Sequence, residues 1–239
     1  MRMIHLRFFC PCALAGWVAW WNPSIAAPKG MALAAVARSQ LCVTEGAIEQ
    51  TGAERRWSVS VSKMRAYVNV MTEPVVEVRF RYLGPTADAA PLGSGTVRRQ
   101  IGVKLRAQDA CNLVYAMWRI DPESKLVVSV KSNRGQHTSA QCGNRGYRNI
   151  KPRRSVPVPS LSAGGEHTLR AEMNGAQMWV FADNWLVWDG STAPDALGFD
   201  GPVGIRSDNA RIQIELLAGP ALQAAEQATI CRADAGEAE

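Results

Sequence analysis

From Trp57 onward one pattern recurs along the chain: apolar and polar residues alternate with a period of two. Trp57-Ser-Val-Ser-Val shows it, and so does Val76-Glu-Val-Arg-Phe-Arg-Tyr. Such alternation places every second side chain on one face of a strand. A helix needs apolar residues three and four apart and cannot use it. Further strand-like runs lie at 100–106, 113–120, 126–131, 167–173, 177–182, 185–188, 201–206 and 210–217, and no long helical stretch interrupts them. Turn residues separate the runs: Asp121-Pro122-Glu123-Ser124, Asn174-Gly175, Asp183-Asn184 and Ser207-Asp208-Asn209. Asn-Gly between two alternating runs is a strong hairpin signal. Many short strands joined by such turns predict an all-β, two-sheet antiparallel jelly-roll β-sandwich.

Two stretches break the alternation. Residues 85–96 are rich in Pro, Gly and Ala and read as a loop. Residues 133–160 are longer and rich in Gly, Asn, Arg and Pro. A loop of that length in a domain is usually functional or stapled. The sandwich is expected over 42–219, and 220–239 as a tail with a short helix around 222–228.

The first residues read as a secretory signal spanning 1–27. Arg2 and Arg7 supply its charge, Phe8 to Trp21 form an uncharged apolar run, and Asn22-Pro23 breaks it before Ser24-Ile25-Ala26. The run is shorter than the roughly 20 residues a membrane span needs. A second cleavage point lies near Ala37, and an uncleaved anchor is the rival reading. The expected location is secreted, periplasmic or extracellular. The leader carries two arginines and no acid, so its removal lowers the net charge from +6 to +4. That bias suits an anionic partner such as a uronate polymer and lacks the dense basic run of a nucleic-acid binder.

Of six cysteines, Cys10 and Cys12 lie in the leader. The other four are Cys42, Cys111, Cys142 and Cys231, an even number that favours disulfides in an exported chain. Three pairings are possible. Cys42–Cys231 is favoured because it ties the first strand to the tail, which leaves Cys111–Cys142 to staple the long loop. No C-x-x-C spacing or nearby histidine suggests a metal. A structural calcium at Asp183, Asp189, Asp200 and Asp208 has no dense acidic loop behind it. No cofactor is expected.

The segment from His167-Thr-Leu-Arg-Ala-Glu-Met-Asn-Gly through Trp179-Val-Phe-Ala-Asp-Asn-Trp-Leu-Val-Trp to Gly201-Pro-Val-Gly-Ile-Arg-Ser-Asp-Asn resembles the closing strands of concanavalin A-like, laminin-G-like sandwiches. That superfamily includes lectins, glycoside hydrolases, lyases and adhesion modules, so the resemblance implies a scaffold more than an activity. The Glu-x-Asp-x-Glu strand of its laminarinase-like members, which sets two carboxylates on one strand face, is absent. The nearest candidate, Glu77, shares its phase with Arg79 and Arg81.

Three functions are therefore weighed. The first is a non-catalytic glycan-binding sandwich for anionic polysaccharide. Its candidate binding residues are Arg79, Arg81, Lys104, Arg106 and Lys131, which alternation turns outward and which would line one face if their strands share a sheet. Arg148 in the long loop and Trp185 beside the Asp183-Asn184 turn join them. The second is a lyase that cleaves a uronate by β-elimination, with His137 and Tyr147 as proton carriers and Gln136 and Arg145 on the carboxylate. Gln136-His137 resembles the Gln-x-His of alginate-lyase-like enzymes with one residue missing. The third is a structural or adhesion module of the cell envelope. Trp118, Trp179 and Trp188 read as core.

Overall fold

The computed structural model describes residues 31–52, 55–222 and Cys231. The expected leader and most of the expected tail helix fall outside the described residues. The strands in chain order begin with β1 (Ala34–Ala35), β2 (Leu41–Glu45), β3 (Glu49–Gln50), β4 (Trp57–Val59) and β5 (Lys63–Val68). Then come β6 (Val75–Pro85), β7 (Arg99–Leu105), β8 (Leu113–Asp121) and β9 (Lys125–Lys131). One helical turn, α1 (Ser139–Cys142), precedes β10 (Tyr147–Asn149) and β11 (Arg154–Ser155). β12 (Glu166–Asn174), β13 (Gln177–Ala182), β14 (Trp185–Ser191), β15 (Gly204–Asp208) and β16 (Ala210–Ala218) follow.

These strands form two antiparallel sheets, a jelly-roll sandwich as the alternation predicts. The first sheet runs β11-β14-β13-β12-β6-β16-β4-β3, with β1 also on β16. The second runs β10-β9-β8-β7-β15-β5-β2. The inward phase of each strand fills the space between them. Val76, Val78 and Phe80 of β6 meet Val103 and Leu105 of β7, Val114, Ala116 and Trp118 of β8, and Val128 and Val130 of β9 in one buried cluster. Trp118 is its anchor: the ring meets Phe80 edge to face at 5.9 Å, and its Nε1 donates to the Pro159 carbonyl at 3.3 Å. That bond also holds the far end of the long loop against the core.

Local chemistry explains the turns. Asp183 and Asn184 both take positive φ, at 49° and 67°, as a two-residue β13–β14 hairpin requires. The β12–β13 turn falls at Gly175-Ala176, one residue past the expected Asn174-Gly175, because Asn174 still pairs with Gln177. Gly204 lies where a Cβ would stand 2.4 Å from the Ala66 carbonyl oxygen, so β15 can approach β5 only with glycine there.

Cys42 bonds Cys231 and Cys111 bonds Cys142, the favoured pairing. The long loop is less irregular than its composition suggests, since it contributes β10 to the second sheet and β11 to the first. Among the described residues, no helix is long and apolar enough to cross a membrane.

The expectation that five cations share one sheet face fails. β6 belongs to the first sheet, whereas β7, β8 and β9 belong to the second. Period-two alternation shows which residues of a strand face outward, but not in which sheet the strand lies. Arg79 and Arg81 therefore stand on the outer face of one sheet, and Lys104 and Lys131 on that of the other.

Candidate functional site

The outer face of the second sheet is built from aligned rows. Antiparallel register sets Tyr67 of β5, Gly204 of β15, Lys104 of β7, Tyr115 of β8 and Ser129 of β9 side by side. The next row holds Arg65, Arg206, Gly102 and Met117. On the other side, Leu113 and Lys131 pair across β8 and β9, and Tyr147 of β10 pairs with Lys131. Cations and tyrosines thus converge on a groove of about 430 Å³. Leu92 and Gly93 from the β6–β7 loop form one wall, and Ser139, Gly143 and Asn144 form the other. A side chain at position 93 would stand 2.8 Å from the Asn144 Cβ, so glycine lets the walls meet. A second hollow shares Leu92, Tyr115, Asn144, Tyr147 and Arg206 and continues over Gln100, Ser129 and Asn149.

The charges in this groove do not balance. Its lining carries Lys63, Arg65, Lys104, Lys131 and Arg206 against Glu45 alone. Beneath it, Asp208 is fully buried and engaged three ways: it accepts from Arg65 Nη2 at 2.7 Å, Arg206 Nε at 2.9 Å and Gln100 Nε2 at 2.6 Å. Burial pushes its carboxyl up, but Arg206 and Arg65 more than reverse this and hold it below the ordinary carboxylate value. Lys131 donates to the Ala110 and Gly143 carbonyls and so ties β9 to both ends of the disulfide-closed loop. Lys104 differs from all of these. It is completely buried, its Nζ has no hydrogen-bond partner, and it lies 3.7 Å above the centre of the Tyr67 ring. Burial, then Arg65 and Arg206, push its ammonium well below the usual lysine range.

Two phenols beside these cations are driven apart. Burial raises the Tyr115 hydroxyl well above the ordinary tyrosine value, and Tyr147 adds to this. Burial also raises Tyr147, but Arg206 and Lys131, with hydrogen bonding to Tyr115 and Arg206, bring it below that value. Arg206 Nη1 donates to the Tyr147 oxygen at 3.3 Å.

The other sequence-predicted residues lie elsewhere. Arg79 pairs with Glu77 and Glu215, and Arg81 with Glu166, on the outer face of the first sheet, where charges are balanced. Arg106 has left its strand at φ 48° and donates to the Ala196 carbonyl. Arg148 is paired with Asp195. Trp185 stands 78% exposed at the β13–β14 hairpin, while Trp118, Trp179 and Trp188 are buried.

The lyase constellation is likewise not assembled as expected. His137 lines a separate hollow with Arg134, Asp195 and Phe199, and its Nδ1 is 2.7 Å from Asp109. Asp109 also accepts from the Cys111 amide and Asn112, which locks the loop. The Gln136 carbonyl accepts from Asn112, and Arg145 donates to the Gln141 and Cys142 carbonyls at the end of α1. Of the four, Tyr147 alone lines the groove. The loop's own hydrogen bonds hold the other three.

Arg65, Tyr67, Tyr115 and Arg206 were not among the expected site residues. Arg206 was visible as the outward residue of Gly204-Ile-Arg-Ser. Lys63-Met-Arg-Ala-Tyr-Val alternates too, and β5 could have been read from it. Tyr115 lies on a strand buried on both faces over most of its length, which hides the outward phase.

The suggested calcium carboxylates are mostly engaged. Asp183 pairs with His167 and accepts from the Thr168 amide, and Asp189 pairs with Arg153 and Arg154. Among the described residues, no group of three or more His, Cys, Asp or Glu could hold a metal ion.

No protein-family model and no curated protein matches this chain. Several solved structures resemble it. The carbohydrate binding module CBM66 from Bacillus subtilis aligns at 14% identity and a TM-score of 0.49, covering 73% of this chain and 91% of its own. The galectin LEC-6 from Caenorhabditis elegans aligns at 11% and 0.40, covering 71% and 99%. The Crh5 transglycosylase aligns at 11% and 0.45, covering 78% and 81%. Likeness at this level leaves the site to be read from this chain's own residues.

Proposed function

We propose that this chain is an exported carbohydrate-binding sandwich that recognises anionic polysaccharide in the groove on its second sheet. The carrying observation is Lys104, a buried ammonium group without a hydrogen bond or a carboxylate partner in a groove already rich in cations. Such a group is costly until an anion nearby balances its charge. Arg206 and Lys131 add positive charge, and arginine matches carboxylate and sulfate oxygens in a fork. Tyr147, exposed at the edge of the groove, offers a ring face for pyranose stacking and a hydroxyl for sugar oxygens. Two disulfides suit an oxidising compartment outside the cytoplasm.

Electrophoresis through gels containing alginate, heparin or neutral dextran tests the reading. The acidic polymers should retard the protein, less so with added salt, and dextran should not. Equal mobility in all three gels would overturn it.

One observation favours a second reading, cleavage of a uronate by β-elimination. Tyr147 is the more acidic of two neighbouring phenols, and cations surround it. As a phenolate it would take the proton next to the carboxylate, while Tyr115, kept protonated, would return one to the departing glycosidic oxygen. Incubation with alginate and heparin should then raise the ultraviolet absorbance of unsaturated uronate ends, and Tyr147→Phe should abolish the rise. A flat trace with the wild type leaves binding alone.

A further inference from the structure

We propose that an anionic ligand enters the groove together with a proton, and that Lys104 takes that proton up. The inference rests on the binding reading above and adds a regulation to it, in which affinity depends on pH through a residue on the groove floor.

The geometry leaves the Lys104 ammonium without a hydrogen-bond acceptor, and the acids near it are committed to arginines. Its register partner on β8 is Tyr115 and on β15 is Gly204. The Tyr67 ring of β5 lies against its Nζ at 3.7 Å. The cations that face it, Arg65 and Lys63 on β5, Arg206 on β15 and Lys131 on β9, all oppose a further positive charge. The acids that face it are Glu45 on β2 and Asp208 on β15. Glu45 lies 3.6 Å from Arg65, and Asp208 is held by Arg65, Arg206 and Gln100. Tyr147 on β10 completes the ring of titratable neighbours and is engaged by Arg206. Neither acid is a contact partner of the ammonium group, whose desolvation goes uncompensated and favours the neutral amine.

A carboxylate or sulfate in the groove reverses that balance. It is an anion in a partly dry site, so it raises the proton affinity of Lys104 even without touching it. Binding and protonation then favour one another by the same factor. Below the pH at which the free protein loses this proton, Lys104 is already charged and binding is insensitive to pH. Above it, each unit rise in pH weakens binding, by up to about tenfold if a whole proton is taken up.

Titration calorimetry tests this with the full chain and alginate oligosaccharide, run at several pH values below the ordinary lysine value of 10.5, each in two buffers of different ionisation enthalpy. The wild type should show a buffer-dependent heat that corresponds to proton uptake. In Lys104→Met the uptake should fall below half, with binding weaker but still measurable. Uptake that persists above half in Lys104→Met would place the proton elsewhere, on Tyr147 or Lys131, and overturn the inference. Buffer-independent heat in the wild type overturns it as well, and leaves the binding reading standing. Absence of any binding by the wild type instead overturns the reading beneath it. If Lys104→Met does not fold, the pH dependence of wild-type affinity decides, with a fall expected at a pH well below the ordinary lysine value of 10.5 and a flat profile contradicting.

Discussion

The Lys104 Nζ lies 3.7 Å above the centre of the Tyr67 ring and has no hydrogen-bond acceptor. A cation over an aromatic face gains some energy, on the order of 2 kcal/mol when desolvated. That is too little to offset full burial of an unpaired ammonium group. The groove floor therefore holds a destabilised residue, and this has consequences for stability as well as binding.

Replacing that residue should make the unliganded protein more stable. Lys104→Met keeps an unbranched apolar stem out to the ε position and removes the unpaired amine, and a gain of about 1 kcal/mol is expected near neutral pH. The sign with pH follows from the depressed proton affinity in the folded state. The unfolded chain holds this proton more tightly, so wild-type stability should rise with pH from the depressed value up to the ordinary lysine value of 10.5. Urea denaturation at several pH values should show that rise, and Lys104→Met should lose its part of it. A variant less stable than wild type at every pH would count against an orphan ammonium.

Asp208 is the opposite case, a buried acid that holds two arginines in place. Asp208→Asn leaves Arg65 and Arg206 without their shared carboxylate, at a cost of about 3 kcal/mol. Because its proton affinity is depressed on folding, its contribution is present above the ordinary carboxylate value of 3.8 and is lost as pH falls through the lower folded value. Thermal melts from neutral pH into acid should therefore separate wild type from variant at neutral pH and converge as pH drops. A constant gap across the range would contradict the pairing.

The groove wall depends on a covalent staple. Cys111–Cys142 closes the loop that presents Gly143 and Asn144, and Lys131 binds both ends of it. Changing both cysteines to serine should lower stability by about 2–4 kcal/mol. It should also weaken acidic-polymer binding, measured after correcting for any unfolded fraction. Undiminished affinity would show that this wall does not touch the ligand.

Trp185 offers a control. It stands on the hairpin of the first sheet, the sheet opposite the groove, so Trp185→Ala should leave gel retardation by acidic polymer unchanged. Loss of retardation would move the binding surface to that hairpin.

The fold could be read from the sequence, because alternation and turn chemistry are local. The inward phases of β6, β7 and β9 and the buried Trp118 all follow from strand periodicity. Sheet membership does not, since β6 crosses to the other sheet with its phase intact and carries Arg79 and Arg81 with it. The site was legible only in part. Lys104 and Lys131 could be singled out by type and phase, Tyr147 by type alone, and Arg206 by its place after Gly204. What makes Lys104 distinctive is the absence of an acceptor, which depends on how five strands come together and has no local signature. His137 illustrates the converse: its residue type suggested chemistry, while Asp109, 28 residues away, holds it as part of a loop brace.

The face of the sandwich that meets the ligand is the central claim, and paired substitutions test it most directly. Calorimetric titration with alginate should compare wild type, an Arg206→Gln/Lys131→Gln variant of the groove, and an Arg79→Gln/Arg81→Gln variant of the opposite sheet. Both variants remove two positive charges, so a nonspecific charge effect would weaken them equally. The groove variant should lose about tenfold or more in affinity while the opposite-face variant stays close to wild type. Loss confined to Arg79→Gln/Arg81→Gln, or equal loss in both, would contradict the placement of the site.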